Sequence, residues 1–313
     1  MIVPLRCVGI DVCKPYLDIF DEAVGTPERI ANAPQAIAQL VARWRCDVLV
    51  VFEATGVYDL DLREALRRSG IRFARINPAR ARDFARASGQ LAKTDPIDAR
   101  TLAAFGRAMQ PATEQAVTPA QSALARLAKR RDQLVAMRAQ EKNRRSEAED
   151  RAMAERISRL IEVLDDEIVE IEAEISALIK AEPVLAEQAQ LMRSVPGVGP
   201  VACMQLIAQM PELGHLGPKE VAALAGLAPF NRDSGAYRGK RKIGGGRKRV
   251  RDALYMAALN AVRRADRFKI FYNRLRQAGK PAKLALIAVA RKLLTILNAM
   301  MRDRKTYTVA PST

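Results

Sequence analysis

The pattern of hydrophobic and polar positions divides this 313-residue chain into three stretches of different character. In the first 110 residues, short apolar runs alternate with helical patterns. Arg6-Cys7-Val8-Gly9-Ile10-Asp11 reads as a buried strand ending at an acid, and Tyr16-Leu17-Asp18-Ile19-Phe20 as its hairpin partner. Pro34 opens a helical stretch that runs through Trp44, with proline suited to the first turn. Asp47-Val48-Leu49-Val50-Val51-Phe52 is a second strand-like run and again ends at an acid, Glu53. A helix is predicted near Asp59–Ser69, a strand near Ile71–Ile76, and helices near Pro78–Arg86 and Pro96–Met109. Strands alternating with helices predict an α/β domain with a parallel or mixed sheet.

From Ala120 to Glu182 there is neither glycine nor proline. Within that stretch Ile157, Ile161, Leu164, Ile168, Ile171, Ile175 and Leu178 follow at spacings of 4, 3, 4, 3, 4 and 3, flanked by Glu and Asp. Such an a/d seam predicts long helices in a coiled coil, within one chain or between chains, and through the latter a homo-oligomer, dimer or tetramer. After Pro183, Ser194-Val195-Pro196-Gly197-Val198-Gly199-Pro200 lies between helical patterns and reads as a helix-hairpin-helix-like turn. Gly197 and Gly199 would there let backbone amides approach a phosphate, although an ordinary turn has the same composition. Further helical patterns near Val221–Ala225, Val250–Arg264, Phe268–Gln277 and Pro281–Arg302 make the C-terminal part mostly α. The expected division is 1–112, an α/β domain; 113–186, a coiled-coil helical region; and 187–313, a basic C-terminal domain.

Charge changes the picture most. Residues 1–110 carry 16 Lys/Arg against 13 Asp/Glu, residues 121–192 carry 12 against 15, and residues 193–313 carry 24 against 6. An excess confined to one end of the chain points to a polyanion, and nucleic acid is the expected partner rather than a membrane. No apolar run approaches the ~18 residues that span a bilayer, and the start has no signal-peptide layout, so a cytoplasmic protein is expected. Four scattered cysteines and the single histidine, His215, argue against zinc sites, Ser-His-Asp triads and His-based nucleases. Any catalysis falls to carboxylates, hydroxyls and a hard metal ion.

Four acids fit that requirement. Asp11 and Glu53 each end an apolar strand, where open α/β sheets form their ligand crevices. Asp95 and Asp98 stand three apart in Lys93-Thr94-Asp95-Pro96-Ile97-Asp98-Ala99, a spacing that places both on one face of a helix begun at Pro96. Converging carboxylates of this kind bind two Mg²⁺ ions, which clamp the attacking and leaving oxygens of a phosphodiester. Each acid taken singly is equally compatible with a helix cap or a surface position.

Gly9-Ile10-Asp11-Val12, Phe52-Glu53-Ala54-Thr55-Gly56-Val57-Tyr58, Ile76-Asn77-Pro78 and Lys93 through Arg100 resemble the DEDD transposases of bacterial insertion sequences, in the family numbered one hundred and ten. The resemblance continues in Ser194–Gly199, Leu224–Pro229, Arg232-Asp233-Ser234-Gly235, Arg238–Ile243, Gly245-Gly246-Arg247 and Leu254–Ala257, in order over nearly the whole chain. It implies a RuvC-like, RNase H-type fold for the N-terminal domain, with Asp11, Glu53, Asp95 and Asp98 as the metal-binding carboxylates. It implies that Ser234 is a nucleophile, that a structured guide RNA pairs with donor and target DNA, and that subunits assemble with metal and serine half-sites meeting across them. Related site-specific DNA invertases share the same motifs.

The setting of Ser234 supports that reading. Asp-Ser-Gly is also a plain turn, but residues 232–251 hold nine Lys/Arg and one acid, with five glycines allowing close backbone approach. Arg238, Lys240, Arg241, Lys242, Arg247, Lys248 and Arg249 are the candidate phosphate contacts. The sequence thus reads as an RNA-guided DNA transposase or recombinase, nucleoid-associated in a bacterial cytoplasm, that uses Mg²⁺-bound carboxylates and a serine nucleophile. The alternatives are a metal-only RuvC-like nuclease, a junction resolvase or a site-specific DNA invertase, and a non-catalytic nucleic-acid scaffold.

Overall fold

The apolar runs of the first third become the strands of one mixed sheet. A computed structural model describes residues 6–44, 47–54, 56–89, 95–114, 118–230 and 242–308, the side chains of 95–97 excepted. The chain divides into two units, Met1–Ala116 and Val117–Thr313. In the first, β1 (Arg6–Val12) pairs antiparallel with β2 (Tyr16–Asp21), which pairs antiparallel with β3 (Pro27–Ala31). Helix α1 (Pro34–Val41) leads to β4 (Val48–Glu53), parallel to β1, and α2 (Leu60–Arg68) to β5 (Arg72–Ile76), parallel to β4. The order is β3-β2-β1-β4-β5.

Helices cover both faces of the sheet, which is why β1 and β4 read as continuous apolar runs. On one face Val8, Ile10, Val50 and Phe52 pack with Ile37 and Leu40 of α1 and with Leu62 and Leu66 of α2. On the other, Cys7, Leu49, Val51 and Ala74 meet Ala81 of α3 (Pro78–Ala87) and Leu102 and Phe105 of α4 (Asp95–Met109). Strand β3 has no counterpart in the sequence reading. Its residues are mostly exposed, and it is an edge strand that begins at a proline, so it carries no apolar alternation to read.

The second unit begins with α5 (Pro119–Ser146) and α6 (Arg151–Ala181), whose first turns are capped by Thr118 and Asp150. These form an antiparallel hairpin. Arg138 pairs with Asp165 and Arg131 with Glu172, one heptad apart on both helices. Leu164, Ile168 and Ile171 of the predicted seam pack on Leu134, flanked by Leu127 and Val135. Helix α5 of the same chain therefore packs on the seam over Leu164–Ile171, the within-chain form of the two expected there. Ile175, Leu124 and Ala128 belong to the large core of the helices that follow. Helices α5 and α6 fall in the same unit, Val117–Thr313, as the C-terminal helices.

That core is built by α7 (Pro183–Arg193), α8 (Pro200–Gln209), α9 (Pro218–Leu224), α10 (Lys248–Arg264), α11 (Asp266–Gln277) and α12 (Ala282–Asp303). A two-residue ribbon, β6 (Pro229–Phe230) with β7 (Lys242–Ile243), is its one sheet among the described residues. Helix α12 is long and apolar enough, by length and composition, to cross a membrane, contrary to the reading that no such stretch exists. Here its Val289, Leu293, Leu294 and Leu297 are fully buried against neighbouring helices. Asn298 in the same helix is satisfied by accepting from Gly214 N and donating to Leu216 O, both at 2.8 Å. A helix surrounded by protein has the same composition as one surrounded by lipid.

Candidate active site

Asp11 and Glu53 come together through strand register. The parallel pairing of β1 with β4 ends at Ile10 and Phe52, so the two acids are the next residues on adjoining strands. Side chains alternate along a strand, so Asp11 lies on the face of Gly9, towards α4, and Glu53 on the face of Val51, also towards α4. Both are half-buried. Asp18 is directly opposite Asp11 on β2, and Arg29 directly opposite Asp18 on β3. One row across the sheet thus holds Arg29, Asp18, Asp11 and Glu53. Asp18 is only 5% exposed and is held by the Arg29 guanidinium through bonds of 2.8 and 2.9 Å.

Gly9 sets the approach of the second pair of acids. A Cβ there would run into the carbonyl oxygen of Ala99 and stand 2.5 Å from the amide nitrogen of Ala103, so the backbone of α4 rests directly on β1. A Cβ on Gly106 would meet Val51 at 2.8 Å, a second close contact of the same helix. Asp98, half-buried, immediately precedes Ala99 on this contact line. Asp95 is the first residue of α4, one helical turn before Asp98, and its side chain lies outside the described residues.

Among the described residues no three His, Cys, Asp or Glu side chains are gathered as a metal-holding cluster. The available donors are oxygen only and stand at the ends of parallel strands and on the helix laid over them. That donor set fits a hard divalent cation and does not fit zinc.

The loops behind the strand ends are tied down by residues that sequence reading passed over. Asn32 donates from one amide nitrogen to Cys13 O at 2.8 Å and to Tyr58 O at 2.9 Å, bridging the segments that follow Asp11 and Glu53. Asp59, fully buried at the start of α2, accepts from Arg75 of β5 at 2.8 Å. Glu114 accepts from Arg63 at 2.6 Å and Arg67 at 2.9 Å, while its own amide donates to Phe73 O of β5. Nothing in the local sequence marks Asn32; its partners are 19 and 26 residues away.

In the second unit, Ser234, Arg238, Lys240 and Arg241 lie outside the described residues, but the two ends of their segment are held side by side. Pro229 pairs with Ile243 and Phe230 with Lys242. A Cβ on Gly226 would strike Gly245 O, and one on Gly246 would strike Gly226 N, so the base of this ribbon is locked to the end of α9. Arg247 N completes the joint by donating to Leu224 O at 2.8 Å.

Of the predicted phosphate contacts that are described, Lys242 is exposed on β7. The Arg247 guanidinium is committed internally: it grips Glu212 through two bonds of 2.6 Å and Gln209 O through a third. Burial pushes the Glu212 carboxyl up, but the hydrogen bonds and charge of Arg247 with a backbone hydrogen bond together hold the group below its ordinary value. Lys248 pairs with Asp252 and Arg249 with Asp132, both as exposed cations. The turn at Gly197 has a packing reason. Its φ is +95°, and a Cβ would stand 2.6 Å from Ala257 O and Ala261 N of α10. Gly199, the N-cap of α8, faces open space.

Comparison with known proteins places these features in one group. Residues 8–151 match the DEDD_Tnp_IS110 transposase family, and residues 189–273 match the family described as Transposase IS116/IS110/IS902. The chain is similar to the pilin gene-inverting protein of Moraxella bovis, 30% identical over 320 residues that cover 96% of this chain and 97% of that protein. The protein of the same description from Moraxella lacunata is 30% identical over 270 residues, 82% of this chain and 81% of its own. A 44.8 kDa protein of insertion element IS116 from Streptomyces clavuligerus is 32% identical over 150 residues, 47% of this chain and 37% of its own.

Proposed function

Taking as premise that this chain belongs to the IS110 family of transposases, enzymes of DNA cleavage and strand transfer that bind DNA, we propose that it recombines DNA through a serine nucleophile under the guidance of a structured RNA. The DEDD domain implies divalent-metal catalysis. Asp11, Glu53, Asp95 and Asp98 would hold the metal, as a two-ion Mg²⁺ set, which when bound supplies stabilisation for charge developing on the phosphodiester oxygens. The observation that carries this reading is the meeting of Asp11 and Glu53 at adjoining ends of two parallel strands, with α4 seated on Gly9 one residue from Asp98.

The remaining steps fall to the chain's own groups. Ser234 Oγ attacks the scissile phosphorus, giving up its proton as the Oγ–P bond forms and the P–O bond to the departing strand breaks. The departing oxygen takes a proton. A hydroxyl of the incoming strand then attacks the phosphoserine, restoring a phosphodiester and the serine hydroxyl, so the number of phosphoester bonds is conserved and no nucleotide cofactor is needed. Lys242, Lys248 and Arg249, with Arg238, Lys240 and Arg241, hold the backbone of the DNA or RNA, and the Gly199 amide at the start of α8 serves the same end. Arg247 is left out of that set because Glu212 and Gln209 occupy its donors. Joining two DNA sites calls for at least two copies of the chain, acting on the nucleoid of a bacterial cytoplasm.

Denaturing a reaction midway should trap the protein covalently on labelled DNA, with the link mapped to Ser234. Ser234→Ala and Asp11→Asn should each lose the adduct and strand transfer while keeping nucleic-acid binding, and chelation should act like Asp11→Asn. An adduct that persists in Ser234→Ala moves the nucleophile elsewhere, and full activity in chelator removes the metal. Recombination that is unchanged after complete RNA removal ends the guide-RNA part alone.

A second reading, site-specific inversion, has one specific observation behind it. The pilin gene-inverting protein of Moraxella bovis matches over 97% of its length, whereas the IS116 protein matches over 37% of its own. Inversion uses the same bond chemistry with two sites on one molecule. A plasmid carrying two such sites head to head distinguishes the readings: inversion flips the intervening segment, and transposition moves it to a second DNA.

A further inference from the structure

Residues 263–292, covering the end of α10, all of α11 and the first half of α12, contain ten Lys/Arg and a single acid, Asp266. Of the described cations around the β6–β7 ribbon, Arg247 pairs with Glu212, Lys248 with Asp252 and Arg249 with Asp132, while Lys242 is exposed. Across 263–292, by contrast, no Lys or Arg makes an ion pair among the described residues; Arg276 donates to the Lys280 carbonyl instead. Two of these cations converge on one ring. The Lys292 ammonium stands 4.4 Å from the centroid of Phe271, and the Arg274 guanidinium 5.4 Å from the same centroid.

From this geometry we infer that the α11–α12 hairpin is a nucleic-acid contact surface additional to Lys242, Lys248 and Arg249, on which Arg267, Arg274 and Lys292 grip the phosphodiester backbone beside Phe271. Gathering like charges with no counter-charge costs stability in the free protein, and a bound polyanion relieves that cost. Burial and then the charges of Arg267 and Arg274 push the Lys292 ammonium below its ordinary pKa, as expected where a cation is partly desolvated among its own kind. The ring attracts both side chains through cation–π contact, which restrains them before the ligand arrives. A phosphate ester is the chemistry that suits this site, because it offers anionic oxygens in a row at the spacing of a strand, and DNA and RNA both supply it.

The surface rests on the reading of the chain as a nucleic-acid enzyme, but binding can be measured without strand chemistry, so its outcome is separate from that of Ser234 and the carboxylates. The test titrates the full-length protein with a duplex DNA and, separately, a hairpin RNA of matched length over a range of salt. The triple variant Arg267→Gln, Arg274→Gln, Lys292→Gln should lose at least about tenfold in affinity at physiological salt. Its log K against log salt slope should shrink by about 2 to 3, at roughly 0.9 per phosphate neutralised. Arg267→Lys with Arg274→Lys keeps the charge and should keep the slope, which guards against a folding defect. Phe271→Leu should weaken binding a few-fold at unchanged slope. A loss with DNA alone or with RNA alone supports the site and names its source; the wild-type slope with both probes overturns it.

Discussion

Each unit has a glycine at which a helix backbone touches its neighbour, and the two contacts serve different ends. At Gly9 the helix laid on the strand is the one that begins with Asp95 and Asp98, so the close approach brings acids towards Asp11 and Glu53. At Gly197 the partner is the middle of α10, where Ala257 and Ala261 are buried core residues. The first contact seats a helix that bears two candidate metal-binding acids; the second closes a core. A small residue in a motif therefore does not announce which purpose it serves, because both need the same missing Cβ.

The largest expected effect is at Gly9. Gly9→Ala has no room against Ala99 O and must push α4 off the sheet, at about 3 kcal/mol or more. Strand cleavage should vanish, and hydrogen exchange should accelerate in β1 and α4. Retained cleavage would mean that α4 need not rest on β1. Gly197→Ala adds a positive-φ penalty to its clash and should cost about 2 to 3 kcal/mol by urea unfolding. Gly199→Ala, which meets open space, should change stability by about 0.5 kcal/mol or less. Equal losses at the two positions would contradict a packing role confined to Gly197.

The Arg247 clamp comes next. Arg247→Met strands the Glu212 carboxylate and should cost about 2 kcal/mol near neutral pH. Because Arg247 holds the folded-state pKa of Glu212 below its ordinary value, the contribution is complete above that value and fades as pH falls through the lowered one. The stability gap between wild type and variant should therefore narrow in acid. A constant gap would show that packing, not charge, is what Arg247 supplies. A smaller effect on stability than that of Arg247 is expected at Asn32. Asn32→Ala frees two loop carbonyls that water can reach, costing about 1 kcal/mol. Its strand-cleavage rate should fall by more than that cost implies, since both loops follow candidate metal ligands. An unchanged rate would reduce Asn32 to an ordinary loop tie.

Much of the first unit was legible because its two central strands are covered on both faces and so read as apolar runs ending in Asp11 and Glu53. The edge strand β3 was not, since one exposed edge with little burial leaves no periodic signal. The helical seam of α6 was equally plain, but a stripe states only that it needs a partner. That the partner is α5 of the same chain was settled by the short turn between Glu147 and Asp150, which folds the two helices back on each other.

Charge behaved in the same way. The sequence by itself determined that the basic excess sits in the last third, since counting residues requires no coordinates. Only the tertiary structure decided which cations are committed within the fold, as Arg247 is, and which gather without a carboxylate, as Arg274 and Lys292 do around Phe271. Local pattern fixes what a segment can bury and how much charge it carries. Which groups face each other depends on contacts between residues far apart in the chain, and those exist only once the helices have packed.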